Sequence, residues 1–202
     1  MKRTPIMAAA TAILALFCGC DREQPAALKR KPEGRILIVC YSESANRNTL
    51  TAAELIRSQV GGDLVEIRMV KPYGSGYRQV LKESKHHLDN GIKPEIQPLG
   101  KNAADYDVIF IGSPVWYGTF APPVGTFLAQ NDLSGKTVIP FCTHGGGGAG
   151  HLYDDLAKAA PGAKILPGLT LRGSNVVERT IGRGTKDKVK PHEIVERLNE
   201  IL

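Results

Sequence analysis

The chain has 202 residues, 42% of them hydrophobic and 23% charged, which is enough for one globular domain plus an appendage and too little for a second large domain. Its net charge is +6, and removing the two charges of Lys2 and Arg3 with the N-terminal segment leaves +4, a mild basic excess that suits anionic ligands or acidic surfaces. There is no zinc-finger spacing, arginine-rich run or aromatic RNA-binding motif, so nucleic acid is not an expected partner.

The N-terminus comes first. Met1-Lys2-Arg3 is basic, Ile6 to Phe17 is apolar, and Gly19 and Cys20 follow, which is the layout of an export signal and too short to span a bilayer comfortably. The segment Leu16-Phe17-Cys18-Gly19-Cys20-Asp21 resembles a bacterial lipobox, with Cys20 as the lipidated residue and new N-terminus. By that resemblance the protein sits on the periplasmic side of the envelope, attached to a membrane through Cys20, and Asp21 implies retention at the inner membrane. The alternative is an ordinary cleaved signal that releases a soluble periplasmic protein. Residues 21–33 are polar, charged and proline-bearing, as a flexible tether is, so the division reads 1–20 signal, 21–33 tether, 34–202 folded domain.

Within the domain, Arg35 to Tyr41 is a nearly continuous apolar run, too short for a helix and suited to a strand covered on both faces. A polar loop, Ser42 to Asn48, leads into an amphipathic helix over Thr49–Val60, closed by Gly61-Gly62. Leu64–Val70 is a second strand. Pro72–Gly91 carries Tyr77, Val80, Leu81, Ser84 and Leu88 on a helical stripe, which predicts an additional helix. Asp107–Gly112 is a third strand, Phe120–Gln130 a helix entered through Pro122-Pro123, and Thr137–Cys142 a fourth strand. Ala149–Ala160 is helical, Leu169–Leu171 lies in a short fifth strand, and Pro191–Leu202 is a closing helix. Strands alternating with helices predict a doubly wound α/β domain with a parallel sheet, whose ligands bind beyond the C-terminal ends of the strands.

Three loops lie at those ends. The first, Ser42 to Thr49, offers hydroxyls, amides and the unpaired N–H groups of a helix start, a combination suited to a phosphate, and Arg47 can add charge. Ser and Asn are equally ordinary helix caps. The second, Ser113 to Phe120, holds the only tryptophan, Trp116, beside Tyr117, in a chain with 6% aromatic residues; such rings stack on a planar ligand or pack a loop onto the core. The third, Thr143 to Gly150, is nearly all glycine, which lets backbone N–H groups approach a flat ligand or simply makes a flexible connection.

Together YSESANRNT, GSPVWYGTF and PFCTHGGGG resemble the flavodoxin family, in particular its bacterial branch with a CTHGG loop. The resemblance runs from Arg35 to Gly173. It implies a flavodoxin-like five-stranded parallel sheet of order 2-1-3-4-5 and FMN as cofactor. Position by position, it implies phosphate contacts from Ser42, Ser44, Asn46, Asn48 and Thr49, flavin contacts from Pro114, Trp116, Tyr117 and Gly118, and a further edge lined by Thr143, His144 and Gly145. The first loop departs from the family's compact Ser/Thr-x-Thr-Gly-x-Thr pattern, being expanded and lacking the glycine. In the implied order Cys40 and Cys142 stand two strands apart, about 9–10 Å, too far for a disulfide, so two buried free thiols are expected.

Three functions are consistent with these motifs. The leading one is an FMN-binding electron-transfer protein or small oxidoreductase of the cell envelope. A second is an NAD(P)H-dependent reductase of quinone type, in which the donor binds directly over the flavin because no separate nicotinamide domain exists. A third is a flavin-free envelope binding module, for which the altered phosphate loop speaks. The motifs name no electron donor or acceptor. His144 is a candidate for flavin contact, whereas His86, His87 and His151 read as surface or helix-end residues, and no metal site is expected.

Overall fold

The computed structural model describes residues 27–173 and 191–202, so the export segment with Cys20 lies outside the described residues. In chain order the elements are β1 (Ile36–Tyr41), α1 (Asn48–Val60), β2 (Asp63–Ile67), α2 (Tyr77–Asp89), a 3-10 turn (Ala103–Asp105), β3 (Val108–Trp116), β4 (Thr119–Phe120), α3 (Pro122–Gln130), β5 (Thr137–His144), α4 (Leu152–Ala159), β6 (Lys164–Ile165), β7 (Leu169–Arg172) and α5 (Pro191–Ile201). The main sheet runs β2-β1-β3-β5-β6 with parallel pairings throughout, and β7 joins β5 further along. This is the expected 2-1-3-4-5 order, with the fifth position supplied in two pieces.

The continuous apolar runs follow from coverage on both faces. In β1, Leu37, Val39 and Tyr41 enter one core, while Ile36, Ile38 and Cys40 enter the other. The first core is closed by Val124, Phe127 and Leu128 of α3 and by Leu156 of α4; the second by Ala52, Ala53 and Ile56 of α1 and by Ile194 and Leu198 of α5. Phe110, Phe127 and Phe141 are fully buried, each contributing roughly 1.5–3 kcal/mol of transfer free energy. The connections after β1 and β3 therefore pass to opposite faces, and the crevice between the two strand ends is the topological switch point.

Two details shape the sheet around that crevice. Pro140 lies mid-β5, where a missing N–H would ordinarily break a ladder. The Val138 carbonyl accepts from the Leu166 N–H, so the same edge of β5 at Pro140 faces the interval between β6 and β7, where no donor is required. Gly112 of β3 leaves space for the Phe141 ring: a Cβ there would stand 2.1 Å from Cζ and 2.8 Å from Cys40 Cβ.

Several sequence expectations need adjusting. β3 does not end at Gly112 but continues to Trp116 and folds back on β4, so the second loop is a β-hairpin. The stripe of α2 is only partly a core face: Ser84 is buried and Val80 packs on the first core, yet Tyr77 is 79% exposed. The end of the tether also touches the fold, with Leu28 against the second core and the Lys29 N–H donating to Asn199 Oδ1 at 2.7 Å. Cys40 and Cys142 are free and buried, and burial pushes both thiols above their ordinary range. No described helix is long and apolar enough to cross a membrane, and the described residues contain no His/Cys/Asp/Glu group able to hold a metal.

Candidate cofactor site

An open cleft of about 640 Å³ lies at the switch point. Its walls come from the three loops: Ser44, Asn46, Asn48 and Thr49 from the first, Pro114, Trp116 and Tyr117 from the second, and Thr143, His144 and Gly145 from the third. The remaining lining is Val115, within the second loop, and Tyr77, Leu81, Arg172 and Gly173, which lie outside the three loops. Arg172 and Gly173 stand at the end of β7, where the strand-end rule could have found them. Tyr77 and Leu81 sit four apart on α2, and no local signal separates a stripe that covers a core from one that walls a cleft.

The polar end is built on the start of α1. Ser44 organises it: its carbonyl accepts from the Arg47 N–H at 2.8 Å, and its hydroxyl accepts from the Asn48 N–H at 3.2 Å. The next amides, Thr49 and Leu50, lie in the first helical turn and have no intrahelical acceptor. Asn48 Oδ1 is buried without a hydrogen-bond partner, and the Thr49 and Thr143 hydroxyls share a buried 2.8 Å bond that ties the first loop to the third. An orphaned buried acceptor, free helix-start amides and paired hydroxyls suit a hydroxylated ligand with an anionic end.

Three residues of this region stand elsewhere than the motif reading put them. Ser42 does not line the cleft; its hydroxyl is buried and unpartnered at the base of the loop, bordering a separate hollow with Tyr41 and Glu66. The Arg47 guanidinium is turned away onto Glu66, and Arg47 itself takes φ 53°, a left-handed conformation that glycine adopts at less cost. Gly118 is likewise outside the lining; it serves the hairpin turn.

The aromatic wall is the hairpin. Trp116 pairs with Thr119 across a two-residue turn, and Tyr117 (φ 51°) with Gly118 (φ 83°) gives the doubly left-handed geometry that matches the strand twist. Ser113 closes its base by donating to the Pro114 carbonyl and accepting from the Ala121 N–H, both at 2.8 Å. Trp116 rests edge-on against Tyr41 and Tyr73, with centroids 5.8 and 5.7 Å away. It therefore both packs on the core and faces the cleft. The Tyr117 hydroxyl donates to the Leu81 carbonyl at 2.9 Å, and Lys85 lies over its ring at 5.6 Å, so α2 braces the hairpin. From the other side the Gly118 carbonyl accepts from the His151 N–H at 2.8 Å, and Thr119 donates to Asp155 at 2.7 Å. His151 thus holds the hairpin to α4.

In the third loop, His144 Nδ1 accepts from the Gly146 and Gly148 N–H groups at 3.0 and 3.1 Å. Both bonds require an unprotonated Nδ1, which leaves Nε2–H as a donor. Burial first, and the Arg172 guanidinium second, hold the imidazole below its ordinary range, so it is neutral at pH 7. The cleft as a whole offers a flat aromatic wall at one end and, at the other, neutral hydrogen-bonding groups with Arg172 in the lining.

Comparisons with known proteins agree with this arrangement. The flavodoxin family profile matches residues 35–182. Among solved structures, a protein assigned as a flavoprotein from Bacteroides eggerthii is 27% identical with TM-score 0.65, covering 83% of this chain and 96% of its own. A counterpart from Bacteroides uniformis is 26% identical with the same TM-score, covering 83% and 98%. A flavoprotein from Lactobacillus acidophilus, solved in complex with FMN, is 26% identical with TM-score 0.58, covering 67% and 92%. No curated protein matches. The fold, the switch-point cleft and the profile match over most of the chain together place this chain in the flavodoxin family.

Proposed function

We propose that the cleft binds FMN and that the protein is a flavin-dependent electron-transfer protein or small oxidoreductase of the cell envelope. The observation that carries the reading is the pairing, in one cleft, of a core-braced aromatic wall with a helix-start polar end containing an orphaned buried acceptor. Bound FMN would supply the one- and two-electron chemistry; the protein supplies binding, orientation and electrostatics. Trp116 and Tyr117 offer faces for the ring system, His144 a neutral N–H donor, and Ser44, Asn46, Asn48 and Thr49 the polar contacts for a hydroxylated, phosphorylated tail.

Visible absorption of the purified protein, before and after FMN is added, tests this. Retained flavin bands, or quenching of FMN fluorescence on titration, is the expected result; a colourless protein that leaves FMN fluorescence untouched would turn the reading toward a flavin-free binding module. A reductase that takes a nicotinamide donor and a quinone-like acceptor is favoured by one feature: Tyr77, 79% exposed, and Tyr117, 46% exposed, leave a wettable aromatic rim on an open cleft. Steady-state oxidation of NADH or NADPH with a soluble quinone separates that activity from simple carriage. The envelope location rests on the N-terminal segment, with Cys20 as lipid anchor. On this reading Cys20→Ser moves the protein from the membrane fraction to the soluble one.

A further inference from the structure

We infer that Arg172 is the charge partner of the ligand's phosphate and makes the cleft select FMN over unphosphorylated riboflavin, an inference that rests on the FMN reading above. The first loop holds the only cation suggested by its sequence, Arg47, but that guanidinium is committed to Glu66 and does not line the cleft. Among the described residues that do line it, Arg172 is the one side chain with a permanent charge, and no carboxylate is among them. A phosphate monoester near neutral pH carries close to two negative charges. Helix-start amides and hydroxyls supply hydrogen bonds to such a group but only partial charge.

The backbone position of Arg172 brings it beside the polar end of the cleft. It is the last residue of β7, in register with His144 of β5. The following residue, Gly173, abuts the first loop, since a Cβ there would stand 2.6 Å from Asn48 Nδ2. Asn48 is the residue whose Oδ1 is buried and unpartnered at the start of α1. Arg172 thus leaves the sheet where the first and third loops meet, beside His144, whose proton affinity is lowered first by burial and second by the Arg172 charge. The expanded first loop, without the glycine of the family pattern and with its own arginine diverted, is offset by a cation from the C-terminal end of β7, on the same edge of the sheet.

The test is titration of the apoprotein with FMN and, separately, riboflavin, for the wild type, Arg172→Gln, Arg172→Lys and Arg47→Gln. In the wild type, FMN binds more tightly than riboflavin, and rising ionic strength narrows the gap. Arg172→Gln weakens FMN about 10- to 100-fold, the range of a charge-assisted hydrogen bond, and riboflavin less than about 3-fold. Arg172→Lys recovers part of the difference, which a mere folding defect would not allow. An FMN-to-riboflavin ratio unchanged by Arg172→Gln, or reduced only by Arg47→Gln, overturns the inference while leaving FMN binding intact. A wild type that binds neither flavin removes the FMN reading and the inference with it.

Discussion

The two ends of the cleft are built by opposite means. The aromatic end is an extension of the core: Trp116 leans on Tyr41 and Tyr73, and the hairpin that carries it is pinned by α2 on one side and α4 on the other. The polar end is a loop on a helix start, organised by Ser44, tied to the third loop through the Thr49 and Thr143 hydroxyls, and with an acceptor left open at Asn48. The lesson is that stability and ligand affinity are coupled throughout the aromatic end, whereas at the polar end they are coupled at the buried Thr49–Thr143 pair and separable around it. Changes in the hairpin should register in both, whereas changes around Asn48 and Arg172 should register in binding.

The largest expected effect is at Trp116. Trp116→Ala removes a half-buried ring from a three-ring cluster, and we expect a loss of about 2–3 kcal/mol in urea unfolding at unchanged m, somewhat below the cost of a fully buried aromatic. Flavin affinity should fall in the same variant. If stability drops and flavin affinity does not, Trp116 is a packing residue alone and the coupling is broken.

Thr49→Val comes next. It keeps the volume but leaves the buried Thr143 hydroxyl without its partner, which costs about 1–2 kcal/mol. The double variant with Thr143→Val should cost less than the sum of the two single changes, because no orphaned hydroxyl remains. Additive losses would show that the two hydroxyls are not bonded to each other. A smaller effect, about 1 kcal/mol, is expected for Gly118→Ala, since φ 83° disfavours any side chain and the added Cβ would stand 3.1 Å from His151 Nε2. A stability equal to wild type would mean the turn relaxes into another geometry.

How much of this was legible beforehand follows from the same contrast. The strands of the sheet announce themselves because double-sided burial demands continuous apolar runs, as in Arg35–Tyr41, and the loops at their ends follow from topology. The hairpin at Trp116-Tyr117-Gly118-Thr119 looks like a loop in sequence, because a two-residue turn with a left-handed tyrosine lacks the usual Asn-Gly or Asp-Gly signal. The diversion of Arg47 depends on where β2 puts Glu66, a pairing between neighbouring parallel strands that local sequence does not encode. Arg172 and Tyr77 enter the cleft through tertiary placement of β7 and α2, so motif reading around the three loops passed them by.

The finest test of the polar end concerns a proton. His144 is held below its ordinary range by burial and, secondarily, by Arg172, so the folded protein binds a proton there less readily than the unfolded chain. The contribution of His144 to stability is complete above the unfolded histidine value, declines as pH falls through it, and levels off once pH lies below the folded value. Ring-proton NMR should report a titration midpoint beneath that of a free histidine, with the Nδ1 tautomer unprotonated on the neutral limb. Because Arg172 supplies one of the two causes, Arg172→Gln should raise the midpoint without restoring it fully, burial remaining in force. A midpoint that does not move would place the Arg172 charge too far from the third loop to act at the phosphate end as well. One substitution thus measures, by a readout independent of flavin, whether the cation from β7 governs the field of the whole polar end.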